Sequence, residues 1–80
     1  MGNRRECIVE IYVPQLSKRL DLKLNSNMRI GDLITQIHFF LGSEKNPGIL
    51  SDTGRSRPYD PEKTVYELGI RTGERILYWF

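Results

Sequence analysis

What most limits the fold of this chain is a change of period between its first and second thirds. ECIVEIYV (residues 6–13) alternates, with Cys7, Val9, Ile11 and Val13 on one face and Ile8, Glu10 and Tyr12 on the other. Pro14 has no N–H for a strand ladder and ends the run. After a short polar connection through Ser17-Lys18, RLDLKLN (19–25) alternates again, Leu20, Leu22 and Leu24 against Asp21 and Lys23. Two such runs so closely joined predict a hairpin. RIGDLITQIHFFL (29–41) then switches to helical spacing. Ile30, Leu33, Ile34, Ile37 and Leu41 form one apolar stripe, which Phe40 is expected to widen. Asp32 in the first turn suits the helix dipole and Gly42 supplies a C-terminal stop. Asn25, Ser26 and Asn27 lie slightly too early to identify the N-terminal cap.

The second half is shorter in its pieces. Glu44 to Gly48 reads as loop, and Ile49-Leu50-Ser51 as a short strand. Asp52-Thr53-Gly54 reads as a turn in which Asp52 accepts backbone N–H groups and Gly54 supplies positive φ. Arg57-Pro58-Tyr59 allows a very short strand held at an edge by Pro58. Asp60-Pro61 opens another turn, and Thr64 is placed to cap one helical turn across Val65 to Leu68. A tight turn at Thr72-Gly73 leads to an apolar strand, Ile76 to Phe80. The order strand, strand, helix, short strands, helical turn, strand predicts a two-layer α+β domain: one helix on a mixed four- or five-stranded sheet. The first and last strands are expected to be central and parallel neighbours. Residues 1–5 read as a solvated tail ahead of a single domain over 6–80.

A chain of 80 residues buries only about 60% of its unfolded surface, so each large apolar residue matters. No apolar run approaches the roughly 18 residues that span a bilayer. The N-terminal MGNRRECIV has Glu6 where a myristoylation signal wants Ser or Thr, and its apolar stretch alternates as a strand does. One cysteine leaves no internal disulfide, consistent with a reducing compartment. A net charge of +2 is too mild to imply a nucleic-acid or anionic-membrane partner. The basic pairs Arg4-Arg5, Lys18-Arg19, Arg55-Arg57 and Arg71-Arg75 are diluted by Glu10, Asp21, Glu67 and Glu74.

Catalytic chemistry finds little support. Cys7 and His38 are the one conceivable nucleophile pair, and the plainer reading is a semi-buried thiol and a surface imidazole. One Cys and one His give no metal-ligand pair, and the carboxylates show no paired arrangement. Asp52-Thr53-Gly54 is the string of aspartic proteases, but those need two such carboxylates and a different strand pattern. No P-loop or dinucleotide motif occurs, and no cofactor or metal is expected.

The element order and core spacing resemble the ubiquitin-like β-grasp fold over about 75 residues. RIGDL (29–33), DTGR (52–55), DPEKTVYELGI (60–70) and RTGERILYW (71–79) are together similar to the YukD/EsaB group. These are small bacterial ubiquitin-like proteins encoded with type VII (Esx-like) secretion systems. Arg29 departs from the Thr usual before the Ile-Gly pair, which implies a weaker helix cap. The group lacks a terminal Gly-Gly, and this sequence has no glycine after Gly73. Attachment to other proteins is therefore not expected. The resemblance implies a non-enzymatic, cytoplasmic accessory or regulator of secretion, peripheral to the membrane machine. Its expected partners are membrane components or the motor ATPase; a generic adaptor or an RNA-binding β-grasp protein is the alternative.

With no catalytic residue to place, function is expected on the surface. Ile76 and Tyr78 should face the helix, and Leu77 and Trp79 the other way. Ile8, Tyr12, Leu77 and Trp79 could then share a sheet face with no helix over it, suited to a protein partner or a second copy of the chain. A one-residue slip in register would reverse that assignment.

Overall fold

The computed structural model describes residues 6–42, 47–54 and 57–80. Their order is β1 (Glu6–Val13), a 3-10 turn (Pro14–Leu16), β2 (Lys18–Asn25), α1 (Ile30–Leu41), β3 (Ile49–Asp52) and β4 (Arg75–Trp79). Four strands form one mixed sheet in the order β2-β1-β4-β3. β1 runs antiparallel to β2 and parallel to β4, and β3 runs antiparallel to β4. The expected hairpin and the parallel central pair are both present. The expected strand at 57–59 is only a single bridge, Ser51 to Pro58, beside a Tyr59 N–H to Leu50 C=O bond of 2.7 Å. Pro58 cannot donate, so the ladder goes no further. The expected tail, residues 1–5, and the Arg4, Arg5 and Arg55 side chains lie outside the described residues.

The core is the meeting of the two periods. Ile30, Leu33, Ile34 and Ile37 of α1 pack with Val9, Ile11, Val13, Leu24, Leu50, Ile76 and Tyr78 of the sheet. Burying each such side chain contributes about 1.5–3 kcal/mol. Phe40 corrects the sequence reading: it is 65% exposed, and Phe39 is 85% exposed. At about 100° per residue, Phe40 sits roughly 60° to one side of Ile37 while Leu41 falls to the other. That angle puts it on the exposed border of the stripe, off the buried residues. Gly42 ends the helix in the left-handed region, φ 64°, as expected.

The helix start is secured without a side-chain cap. Arg29 occupies the cap position and makes no capping bond. The exposed donors of the first turn go instead to the segment after Asp60: Ile30 N–H to Lys63 C=O and Gly31 N–H to Pro61 C=O, each 2.9 Å. A Cβ at Gly31 would come within 3.3 Å of that Pro61 oxygen, so glycine permits the close approach. The weaker cap implied by Arg29 is thus offset by a tertiary one.

The segment supplying those carbonyls is itself fixed by a reciprocal pair. Thr64 Oγ1 accepts the Glu67 N–H at 3.1 Å, and Glu67 Oε1 accepts the Thr64 N–H at 2.9 Å. This is a capping box of Thr-x-x-Glu form. It seats Val65 and Ile70 in the core, and Val65 N–H reaches back to Met28 C=O. Thr64→Ala is expected to lower stability by about 1 kcal/mol in urea denaturation. The backbone bond from Thr64 holds the Glu67 carboxyl below its ordinary pKa. That contribution is therefore present above the unfolded carboxyl pKa and is lost as pH falls through the lower folded value. The stability gap between wild type and Glu67→Ala should narrow in acid, since that change removes the carboxylate that accepts the Thr64 N–H; a gap unchanged at low pH would rule out the reciprocal arrangement.

The other expected turn, at Asp52, forms as predicted in part. Gly54 N–H donates to Asp52 Oδ1, but Gly54 is not in the positive-φ region. Among the described residues the left-handed glycines are Gly42, Gly69 and Gly73, and Gly73 (φ 93°) makes the tight turn into β4.

Candidate protein-interaction face

The register fixes which side chains share the helix-free face of the sheet. Tyr12 pairs with Leu77 across the central parallel ladder and with Arg19 across the hairpin. Leu77 pairs with Ser51, and Trp79 with Ile49, across the β3–β4 ladder. Alternation then sets Tyr12, Leu77, Trp79, Ile49 and Ser51 on this face, while Ile11, Ile76, Tyr78 and Leu50 are fully buried on the other.

β4 is held in place on both sides of Trp79. Tyr78 is buried, and its hydroxyl accepts the Gly48 N–H at 2.9 Å. The Phe80 N–H donates to Gln15 Oε1 at 2.7 Å, tying the strand end to the turn after β1. Trp79 remains 40% exposed and Ile49 47% exposed between these anchors. Beside them lies a depression of about 290 Å³ lined by Ile49, Ser51, Asp52, Thr53, Leu77 and Trp79.

Of the four residues expected on this face, three come together and one stands apart. Tyr12, Leu77 and Trp79 are adjacent. Ile8 lies on the same face, 51% exposed, but opposite Lys23 and beside Gly73, whose N–H donates to Ile8 C=O. Four residues of strand, roughly 13 Å, separate it from Tyr12. Between them sits an ion pair, Arg75 Nε to Glu10 Oε2 at 2.9 Å, with the N–H directed off the hydrogen-bond axis. Ile49 takes the fourth place in the apolar cluster. Its strand was legible in the sequence, but its pairing with β4 was not, and only that pairing brings it to Trp79.

The remaining candidate chemistry disperses. Burial, and then the charge of Glu74, raise the Cys7 thiol above its ordinary pKa, the reverse of an activated nucleophile. His38 is half-buried on α1, and among the described residues its Nδ1 has no hydrogen-bond partner. Among the described residues no group of three or more His, Cys, Asp or Glu gathers as a metal site would require. A larger depression, about 580 Å³, opens near the start of α1. Its walls are Asn25, Asn27, Met28, Asp32, Thr35 and Gln36, with no aromatic anchor and a single carboxylate. No described helix is long and apolar enough to cross a membrane.

No protein-family model matches the chain, and no curated protein matches it in sequence. Solved structures do. A ubiquitin of Caldiarchaeum subterraneum superimposes with a TM-score of 0.80 at 17% identity, covering 92% of this chain and 91% of that one. The ubiquitin-like domain of yeast Ddi1 superimposes with a TM-score of 0.77 at 18% identity, covering 98% and 92%. A chain of an ESX-5 inner membrane complex superimposes with a TM-score of 0.70 at 13% identity, covering 92% of this chain and 20% of that one. One helix on a four-stranded mixed sheet, matched end to end by these structures, makes this a ubiquitin-like β-grasp domain.

Proposed function

We propose that this chain works as a protein–protein interaction module, by non-covalent docking of its helix-free sheet face onto a component of a bacterial type VII (Esx-like) secretion system. The observation that carries the docking reading is the cluster of Leu77, Trp79 and Ile49 around a depression, with Tyr12 paired beside Leu77 and no helix over that face. Exposed aromatic and aliphatic side chains of this kind are the usual anchors of protein interfaces. Ile8 is proposed as an outlying contact at the far end of the same face.

Two things support the secretion assignment. The segments RIGDL, DTGR, DPEKTVYELGI and RTGERILYW resemble the YukD/EsaB group. The same fold also recurs in one-fifth of a chain from an ESX-5 inner membrane complex. The proposed partner is a membrane component or the motor ATPase, reached from the cytoplasmic side.

The test is affinity capture from the native host's membranes in mild detergent, with wild type and a Leu77→Lys/Trp79→Ala variant shown to be folded by circular dichroism. Wild type should recover a type VII membrane component or its ATPase. The variant should bind that purified component about 30-fold more weakly, the size expected of a central anchor. Equal recovery by both proteins would discard the face, and recovery of no type VII component would discard the assignment.

A further inference from the structure

The sheet has an open edge that is complementary to itself. β2 is the outermost strand, and among the described residues β1 is its only strand partner. The direction of its backbone groups follows from β1. The Ile8 N–H donates to Thr72 Oγ1, the Ile8 C=O accepts from Gly73, and the Glu10 N–H donates to Glu74 C=O. Even-numbered residues of β1 therefore bond toward β4 and odd-numbered ones toward β2. Cys7, Val9, Ile11 and Val13 are opposite Leu24, Leu22, Leu20 and Lys18, so these four complete the hairpin ladder. Arg19, Asp21 and Lys23 consequently present their N–H and C=O groups outward along the open edge, as does the Asn25 N–H, while the Asn25 C=O accepts from Met28.

We propose that a second copy of this chain pairs with that edge, β2 antiparallel to β2 about a twofold axis at Leu22. In this register Asp21 lies opposite Lys23 of the second copy, and Arg19 opposite Asn25. On the helix side Leu22 meets Leu22, and Leu20 meets Leu24. The bonded pairs are those whose backbone groups already point outward. Leu20 and Leu22, only half-buried in one copy, gain cover.

Charge and backbone bonds together select the register. Asp21 lies directly opposite Glu10 across the hairpin, an unfavourable pair that Arg75 offsets only on the far side of Glu10. The edge side of Asp21 thus calls for a cation, and Lys23 of a second copy supplies it. Among the described residues the one ion pair of Lys23 is a long, water-exposed contact with Glu6, 3.9 Å, which competes weakly. An axis at Asp21 or at Lys23 would oppose like charges. An axis at Leu20 pairs Arg19 with Asp21 but runs off the strand at Ser17, which is left-handed at φ 51°. It forms roughly four backbone hydrogen bonds against roughly six about Leu22, where the Asn25 C=O is already engaged by Met28. Lysines on a sheet edge ordinarily discourage pairing. Here the single acidic residue among them makes two alignments favourable in charge, and the backbone bonds favour the one about Leu22. The resulting sheet carries both helices on one side and both Trp79 faces, unobstructed, on the other.

Sedimentation equilibrium of the full chain tests this. Wild type is expected to dimerise reversibly by about 1 mM. Asp21→Lys and Lys23→Asp should each weaken the dimer about tenfold, because each converts two symmetry-related attractive pairs into repulsive ones. Asp21→Lys also relieves the contact with Glu10, so loss of the dimer would not reflect loss of fold. The combined Asp21→Lys/Lys23→Asp variant should return to within about threefold of wild type. A wild type that stays monomeric at about 1 mM would overturn the proposal. So would single variants that associate like wild type, a combined variant that is not restored, or abolition of the dimer by Leu77→Lys, which would place the contact on the sheet face.

Discussion

Gly48→Ala is expected to destabilise the domain by about 3 kcal/mol, more than its small size suggests. Gly48 precedes β3 and crosses the end of β4. A Cβ added there would fall inside the contact radius of the Trp79 carbonyl oxygen and against the Phe80 side chain. The obstacle is backbone, which cannot swing aside as a side-chain tip can. Relief requires moving the chain, and the Gly48 N–H is also the donor that satisfies the buried Tyr78 hydroxyl at 2.9 Å. Displacement would therefore combine overpacking with an orphaned polar group in the core. An 80-residue domain has about 4–12 kcal/mol in total. The urea midpoint should accordingly fall by roughly 1–3 M. Gly54→Ala is the control: among the described residues its Cβ would meet only the flexible Asp52 carboxylate at 3.3 Å, and its backbone is not left-handed. Its cost should stay within about 0.5 kcal/mol. Equal losses at the two glycines would show that the approach at Gly48 is not what holds β3 to β4.

That close approach is the sort of fact a sequence conceals. The hairpin, the helix and the final strand were legible because alternation and helical spacing are local, and each run is long enough to show its period. The faces of β1 and β4 followed from the same alternation, so Tyr12, Leu77 and Trp79 could be placed on one side before any pairing was known. What failed depended on non-local partners. Ile8 shares the face, but the parallel register slides it beside Gly73 and puts Glu10 and Arg75 in between. Ile49 enters the cluster because β3 pairs with β4 in one particular register. Asn25, Ser26 and Asn27 are the local candidates for the cap of α1, whereas the bonds go to carbonyls 30 and 33 residues downstream of their donors. Phe40 failed for a different reason. Spacing alone places it at the border of the stripe, and whether a border residue is covered depends on how far the sheet extends beneath it.

The division into two faces can be tested by a pair of equal truncations on one strand. Ile11→Ala should cost about 4 kcal/mol, and Ile8→Ala within about 0.5 kcal/mol. Ile11 is fully buried where three strands meet, opposite Leu20 on one side and Ile76 on the other. Its removal leaves a cavity walled by the sheet and by α1, and strands locked at both edges have little room to close it. Ile8 is three residues earlier and 51% exposed, so truncating it removes surface that water already touches. The side chains are identical, so intrinsic strand preference cancels and the difference reports burial alone. Were β1 shifted by one residue, the order would invert, because a slip exchanges every inward side chain for an outward one. A one-residue slip in β4 would likewise turn Leu77 and Trp79 into the core and leave Tyr78 on the surface. Chemical denaturation of these two variants therefore decides which face of β1, that of Ile11 or that of Ile8 and Tyr12, is free to meet a partner.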